Sequence, residues 1–310
     1  MEIYELQHPH TLKYQDLPET VLAVGYFDGV HRGHQEVIRT AKQIADETGR
    51  TSAVMTFHPH PSVVLKKETQ HVKYITPLED KIKVFEDLGI DRVYLVEFNK
   101  DLAGLLPQDF VNHYFIGLHV SHVVAGFDFT YGRMGKGTMD TLPTHGGEQL
   151  SQTVVSKVTE HEKKISSTLI RESIKEGNIS LANELLGRPY QIRGTVVTGD
   201  QRGRTIGFPT ANLSVSEDYL LPKVGVYAVR VVHNNSSYYG MANIGYKPTF
   251  QDTKVLSVEI NLFDFEADLY GEELTVEWHA FIRDEVKFNG VDHLIDQLQK
   301  DEAEIRNFFA

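Results

Sequence analysis

The sequence predicts an α/β domain followed by a β domain, and three observations predict it. The chain has 310 residues, long for one hydrophobic core and near the length of two domains. Up to about residue 182, short apolar runs alternate with amphipathic ones, the pattern of strands joined by crossover helices. From "NELLGRPYQIRG" (183–194) onward, apolar runs follow one another across turn residues, and a helical period returns only at the end. The expected domains are therefore 1–182 and 187–310.

In the first, "VLAVGYF" (21–27) and "TSAVMTF" (51–57) have strand length. Between them Val37, Ile38, Ala41, Ile44 and Ala45 recur at helical spacing, and Gly49 supplies a stop. Thr76 as N-cap, Pro77 at the first helical position and Glu79 mark the start of a second helix over "TPLEDKIKVFEDLG". "RVYLVEF" (92–98), "FVNHYFIGL" (110–118) and "HVVAGFDF" (122–129) continue as strand, helix and strand. Such alternation gives a Rossmann-like parallel sheet, whose ligands sit at the carboxyl ends of its strands.

In the second, "GTVVTGD", "GVYAVRVVHNNSSYYGMANIGY", "VLSVEINLFDF" and "ELTVEWHAFI" read as strands, with Asn234-Asn235 at a hairpin tip. Val291, Leu294, Ile295, Leu298, Ile305 and Phe308 form one stripe of a closing helix. Strands without crossovers indicate an antiparallel barrel.

Composition narrows the function. Without cysteine the chain has no disulfide, thiolate nucleophile or cysteine-ligated metal. No apolar run approaches the roughly 20 residues of a membrane span, and "MEIYELQHPH" lacks the layout of a secretory leader, so a cytoplasmic protein is expected. The formal net charge is −12 with no basic run, which argues against nucleic acid as partner. A nucleotide substrate stays compatible, because magnesium and a few local cations offset its charge.

"GYFDGVHRGH" (25–34) falls at the carboxyl end of the first strand and the N-terminus of the first helix. Free backbone N–H groups and the helix dipole make that join an anion site. Gly25, Gly29 and Gly33 allow close backbone approach, and His31 and His34 share a face of the first turn. Imidazoles there can donate hydrogen bonds to charge growing on phosphorus. On these residues alone a plain glycine-rich turn and a zinc site of His31, His34, His58 and His60 remain open. Further on, Ser166, Ser167 and Thr168 precede the helical "LIRESIKEG" as cap residues, and Arg171 follows one turn in, a planar cation suited to phosphate.

"HRGH" at 31–34 and "ISSTLIR" at 165–171, in this order, resemble the paired signatures of class I nucleotidyltransferases. With "TFHPHP" (56–61) and "GFDFTYG" (126–132) they look like the FMN adenylyltransferase module of the prokaryotic riboflavin kinase/FAD synthetase family. The resemblance implies that His31 and His34 stabilise the α-phosphate in the transition state, with Gly25, Phe27, Asp28 and Gly33 at the nucleotide. Ser166, Ser167, Thr168 and Arg171 would hold the outer phosphates. Phe57, His60, Phe127, Asp128 and Phe129 would line the flavin side. The chain departs from the pattern at Leu169, where many members have arginine, and at His58, where many have an acid.

The later half carries "GTVVTGDQRGRTIGFPTANL" (194–213). Its spaced glycines Gly199, Gly203 and Gly207 suit a polyphosphate cradle, and Thr210 and Asn212 offer neutral oxygens suited to magnesium. The string resembles the flavokinase signature, and "KVGVYAV" and "ANIGYKPTF" continue the likeness. The resemblance implies that Gly199, Arg204, Gly207 and Pro209 meet the nucleotide, that Glu259 in "VEINLFDF" is the base for the riboflavin hydroxyl, and that Arg283 in "FIRDEVKF" is a flavin contact. The expected protein is a bifunctional transferase. It uses ATP and Mg2+ to make FMN from riboflavin and then FAD from FMN, with no resident prosthetic group. A flavin- and nucleotide-binding regulatory protein that has lost one activity is the alternative.

Overall fold

The computed structural model describes residues 1–66, 68–160, 163–199, 202–248 and 254–310. The chain divides into two compact units, Met1–Ser167 and Thr168–Ala310.

The first unit is built on a six-stranded sheet of β1 (Glu2–Leu6), β2 (Thr20–Val24), β3 (Thr51–His58), β4 (Arg92–Glu97), β5 (Val120–Gly126) and β6 (Ser151–Val155), in the order β1-β4-β3-β2-β5-β6. Every neighbouring pair is parallel. Alternate residues feed two cores. Leu22, Val24, Ala53 and Met55 face one, while Val21, Ala23, Val54 and Val93 face the other, as expected of a parallel sheet covered on both sides. The strand order reverses at β2, between β3 and β5, so the carboxyl ends of β2 and β5 define the switch point where open α/β sheets bind ligands.

Helix α1 (Arg32–Thr48) starts there and ends at Gly49 in the left-handed conformation, as its spacing predicts. Helix α2 (Leu78–Asp87) begins one residue later than the capping pattern suggests, with Pro77 rather than Thr76 at its cap. The Thr76 N–H donates instead to Asp28 Oδ1 at 3.4 Å. Helix α3 (Pro107–Tyr114) completes the crossover into β5. The edge strand β1 was not anticipated; it is exposed along most of its length and pairs with β4 from Glu2 to Leu6.

The second unit begins with α4 (Ser167–Glu176, whose first residue closes the first unit) and α5 (Ile179–Leu186). The sequence boundary after 182 grouped residues 168–182 with the first domain, whereas α5 is stitched to the strands that follow. Asn183 Nδ2 donates to the Trp278 carbonyl at 2.8 Å, and its Oδ1 accepts from the Tyr190 N–H at 2.7 Å. The strands β7 (Tyr190–Val197), β8 (Ala211–Val215), β9 (Gly225–His233), β10 (Ser236–Pro248), β11 (Lys254–Leu262) and β12 (Glu273–Arg283) form a closed barrel in the order β7-β8-β11-β10-β9-β12. Asn234 and Asn235 have φ of 46° and 64° at the β9–β10 tip, the geometry of a tight hairpin. Closure comes from β7 pairing with β12. Helix α6 (Val291–Phe309) packs Ile295, Leu298, Ile305 and Phe309 against Met241 and Phe263. Val291 and Phe308, two residues of the expected stripe, are about half exposed instead. Asp301 is buried in that interface and receives a bidentate bond from Arg283 at 2.7–2.9 Å.

Candidate active sites

Strand β2 ends at Val24, and residues 25–31 bend sharply into α1. Phe27 (φ 54°), Gly29 (φ 85°) and Val30 (φ 39°) all take left-handed conformations, which cost a non-glycine residue of order 1 kcal/mol or more and persist only where surroundings enforce them. The enforcement is visible. Tyr26 O accepts from Thr56 Oγ1 (2.9 Å) and Lys81 Nζ (3.0 Å), Asp28 O from Ser167 Oγ (2.8 Å), and Val30 O from Gln35 Nε2 (2.9 Å). The Asp28 carboxylate, expected at the nucleotide, is buried and accepts the Ile75 N–H at 3.0 Å. Glycine also has a different use than expected at Gly25 and Gly33. A Cβ on Gly25 would strike the Phe27 ring, and one on Gly33 would crowd the His31 ring. They make room for the chain's own side chains.

His31 is the N-cap of α1. Its Nδ1 accepts the His34 backbone N–H at 3.2 Å, so the proton of the neutral ring sits on Nε2. The two rings stack, with centroids 3.6 Å apart and planes 18° from parallel. Phe27 meets His34 edge-on at 5.3 Å. Both histidines line a cavity of about 1010 Å³, along with Gly25, Phe27, Asp28, Gly33, Phe57, Phe127, Asp128, Phe129, Ser166 and Ser167. The signature elements at 25–34, 126–129 and 166–167 are thus brought together.

Aromatic side chains the sequence did not single out, Phe98, Phe110 and Tyr131, extend its apolar wall. Lys100, Arg133, Lys157 and Lys164 add four exposed cations, which supply locally the positive charge an acidic chain needs to hold a polyphosphate. Lys164 also pairs with Asp128 at 2.5 Å. His60 is not among the lining residues; it caps the short helix Pro61–Leu65, its Nδ1 accepting from the Ser62 N–H at 3.1 Å. Because α4 starts at Ser167, Ser166 precedes the helix, while Ser167 and Thr168 lie in its first turn and Arg171 one turn on. Among the described residues no three His, Cys, Asp or Glu are placed to hold a metal ion, so the four-histidine zinc arrangement is not formed.

In the barrel, Glu259 on β11 stands directly opposite Asn212 on β8 and Asn243 on β10. Directly paired residues share a sheet face, so three strands present one carboxylate and two amides side by side. Asn212 is buried, and its side chain occupies the space that a Cβ on Gly199 would fill. Asn261, two residues along β11 on the same face, donates to the Pro209 carbonyl at 2.7 Å and anchors the segment carrying Thr210. Its signal in the sequence was a polar residue inside the apolar run "VEINLF". Gly207 is left-handed (φ 85°), and residues 202–205, including Arg204, form a helical turn. Asp200 and Gln201 of the glycine-rich loop, and Thr249 and Phe250 of "ANIGYKPTF", lie outside the described residues. The guanidinium of Arg283, read from the sequence as a flavin contact, binds Asp301 and the Asp284 carbonyl.

A parallel-sheet domain with a histidine-capped helix beside a cavity, joined in one chain to a barrel presenting a carboxylate beside two amides, is the layout of a transferase that acts at phosphorus. The FAD synthetase family model matches residues 13–169 and the riboflavin kinase model residues 186–309. Bifunctional riboflavin kinase/FMN adenylyltransferase of Bacillus subtilis (strain 168) is 51% identical, covering 100% of this chain and 99% of its own. The protein of that name from Escherichia coli (strain K12) is 34% identical over 97% of this chain and 96% of its own. A crystal structure described as a macrolide-efflux protein from Streptococcus pneumoniae matches with TM-score 0.90 and 36% identity over 99% of both chains. No helix among the described residues is long and apolar enough to cross a membrane. The chain belongs to the bifunctional riboflavin kinase/FMN adenylyltransferase family. It is an enzyme with a kinase domain and an adenylyltransferase domain, families that generally use ATP with a divalent metal.

Proposed function

We propose that the His31–His34 pair is where AMP passes from ATP to FMN, and that the Glu259–Asn212 face is where riboflavin is phosphorylated. The observation that carries the first assignment is the stacked imidazole pair at the N-terminus of α1, lining one cavity with Ser166 and Ser167. An FMN phosphate oxygen attacks the α-phosphorus of ATP, and pyrophosphate leaves. Nε2–H of His31 and the ring of His34 donate to α-phosphate oxygens as their charge grows, helped by the helix dipole. Ser167, Thr168 and Arg171 hold the β- and γ-phosphates, with the exposed cations of the cavity in support. Phe57, Phe127 and Phe129 offer the flavin ring its apolar wall.

In the barrel, Glu259 takes the proton of the riboflavin 5′-hydroxyl, which is a poor nucleophile while protonated. Thr210 and Asn212 would hold Mg2+. The donor set fits: a half-buried hydroxyl and a buried amide supply neutral oxygens, which suit an ion that keeps waters and shares its shell with substrate phosphates. When bound, the ion offsets charge between the β- and γ-phosphates. The substrates are riboflavin, FMN and ATP, with FAD as the final product. We place the enzyme in the cytoplasm, where ATP is at hand, with adenylyl transfer assigned to the parallel-sheet domain and riboflavin phosphorylation to the barrel.

The test is a crystal soaked with ATP, together with chromatography of the products from riboflavin, ATP and magnesium. The α-phosphorus is expected against both imidazoles, and both FMN and FAD should form. Rings turned away from the nucleotide would overturn the assignment.

A further inference from the structure

Lys81 is 1% exposed in the core beneath the histidine loop, and it does not line the cavity. Lysine is almost never fully buried unless paired, and placing an ammonium out of water costs several kcal/mol. A methionine or leucine at that point of α2 would pack at no such cost. What the ammonium does there is specific. Nζ donates to the Tyr26 carbonyl at 3.0 Å and lies 4.7 Å from the Tyr26 ring centroid. Burial pushes the ammonium down to about 8, while the nearby Asp28 carboxylate pulls the other way, so the bond is charge-assisted at neutral pH.

The same segment holds the loop a second time. Asp28 Oδ1 accepts the N–H groups of Ile75 and Thr76, just ahead of α2. Residues 75–81 therefore grip the loop on both sides of Phe27, the first of its left-handed residues. The Phe27 ring in turn lies edge-on to His34. A chain of contacts runs from Lys81 through Tyr26 and Phe27 to the imidazole.

We propose that Lys81 is a positioning residue for adenylyl transfer: its bond to Tyr26 O fixes the turn at Phe27 and thereby the pose of His34. This rests on the reading that the histidine pair serves AMP transfer. A misplacement of about 1 Å at a reacting centre can cost about a hundredfold in rate.

The test uses the full chain with Lys81→Met, Thr56→Val (which removes the other side-chain donor to the same carbonyl) and His34→Ala. Adenylylation of FMN is followed in steady state, and phosphorylation of riboflavin by the same chain is the control. Lys81→Met is expected to lower kcat about tenfold to a hundredfold, with KM for ATP and FMN kept within about threefold and riboflavin phosphorylation unchanged. Thr56→Val shifts kcat in the same direction by less. An unchanged kcat in folded Lys81→Met overturns the inference, and so does a change confined to KM. If Lys81→Met does not fold, Thr56→Val decides: lowered kcat with KM kept upholds the inference, and unchanged kcat overturns it. Loss of activity in His34→Ala with none in Lys81→Met removes the role of Lys81 alone, whereas full activity in His34→Ala removes the histidine assignment itself.

Discussion

As proposed, the two candidate sites would meet phosphate in opposite ways. In the parallel-sheet unit the acting groups are neighbours in sequence, His31 and His34, on a bent loop whose shape is imposed from elsewhere. In the barrel the proposed groups Asn212 and Glu259 come from neighbouring strands, placed side by side, with Asn243 on a third, by nothing more than hydrogen-bond register. The loop buys backbone N–H groups and a helix dipole aimed at an anion, at the cost of strained residues. The strand face has rigidity without strain but must take its polar groups from side chains. The first arrangement suits stabilising charge at an α-phosphate, and the second suits holding a hydroxyl, a carboxylate and an ion in line.

The sharpest way to break this comparison is to disable one site and watch the other. The double variant His31→Ala, His34→Ala is expected to lower FAD formation by about a thousandfold or more, since each lost transition-state donor costs about a hundredfold or more. FMN should still accumulate from riboflavin at the native rate. Simultaneous loss of both products would mean that the two chemistries do not sit where we place them. The converse variant, Glu259→Gln, should reduce riboflavin phosphorylation by about a hundredfold to ten-thousandfold, while added FMN is still converted to FAD.

A smaller effect separates structure from chemistry in the barrel. Removing the partner of a buried charge costs about 3–5 kcal/mol, so Arg283→Met should destabilise the barrel by up to about that amount, leaving Asp301 without its cation and with the neutral Gln297 amide as donor. Adding Asp301→Leu should restore most of the loss in calorimetry. If Arg283→Met instead leaves melting untouched and raises KM for riboflavin, the flavin role read from the sequence stands.

The smallest effect is on pH dependence. Although its burial works the other way, Glu277 is held down to about 2 by His279 Nε2 3.6 Å away and by bonds from Arg230 and Gln191. A carboxyl lowered from 4.5 stabilises the fold above that value, and its contribution is lost as pH falls from about 4.5 toward 2. Acid unfolding of Glu277→Gln should lack that portion of the slope; an identical acid limb would show that the cluster contributes nothing.

Much of this was legible from the sequence, and unevenly so. The alternation of apolar and amphipathic runs foretold the parallel sheet, and "HRGH" with "ISSTLIR" foretold the cavity, because both signals are local. Register is not local. Asn243 and Asn261 could not be tied to Glu259 until the strands were paired, and Lys81 reads in the sequence as one more charge on an amphipathic helix. The pairing of Arg283 with Asp301 was hidden for a related reason, since Asp301 lies on an otherwise apolar stripe. The purpose of Gly25 and Gly33 was hidden as well: nothing in "GYFDGVHRGH" says that the Phe27 and His31 rings fold back onto them.

The imposed bend at residues 27–30 also limits how far the histidine element can travel. Transplanted onto another open sheet, the ten residues "GYFDGVHRGH" would relax, because Thr56, Ile75, Thr76, Lys81 and Ser167 stay behind. A designer borrowing this motif would have to carry over a scattered collar of donors along with the loop.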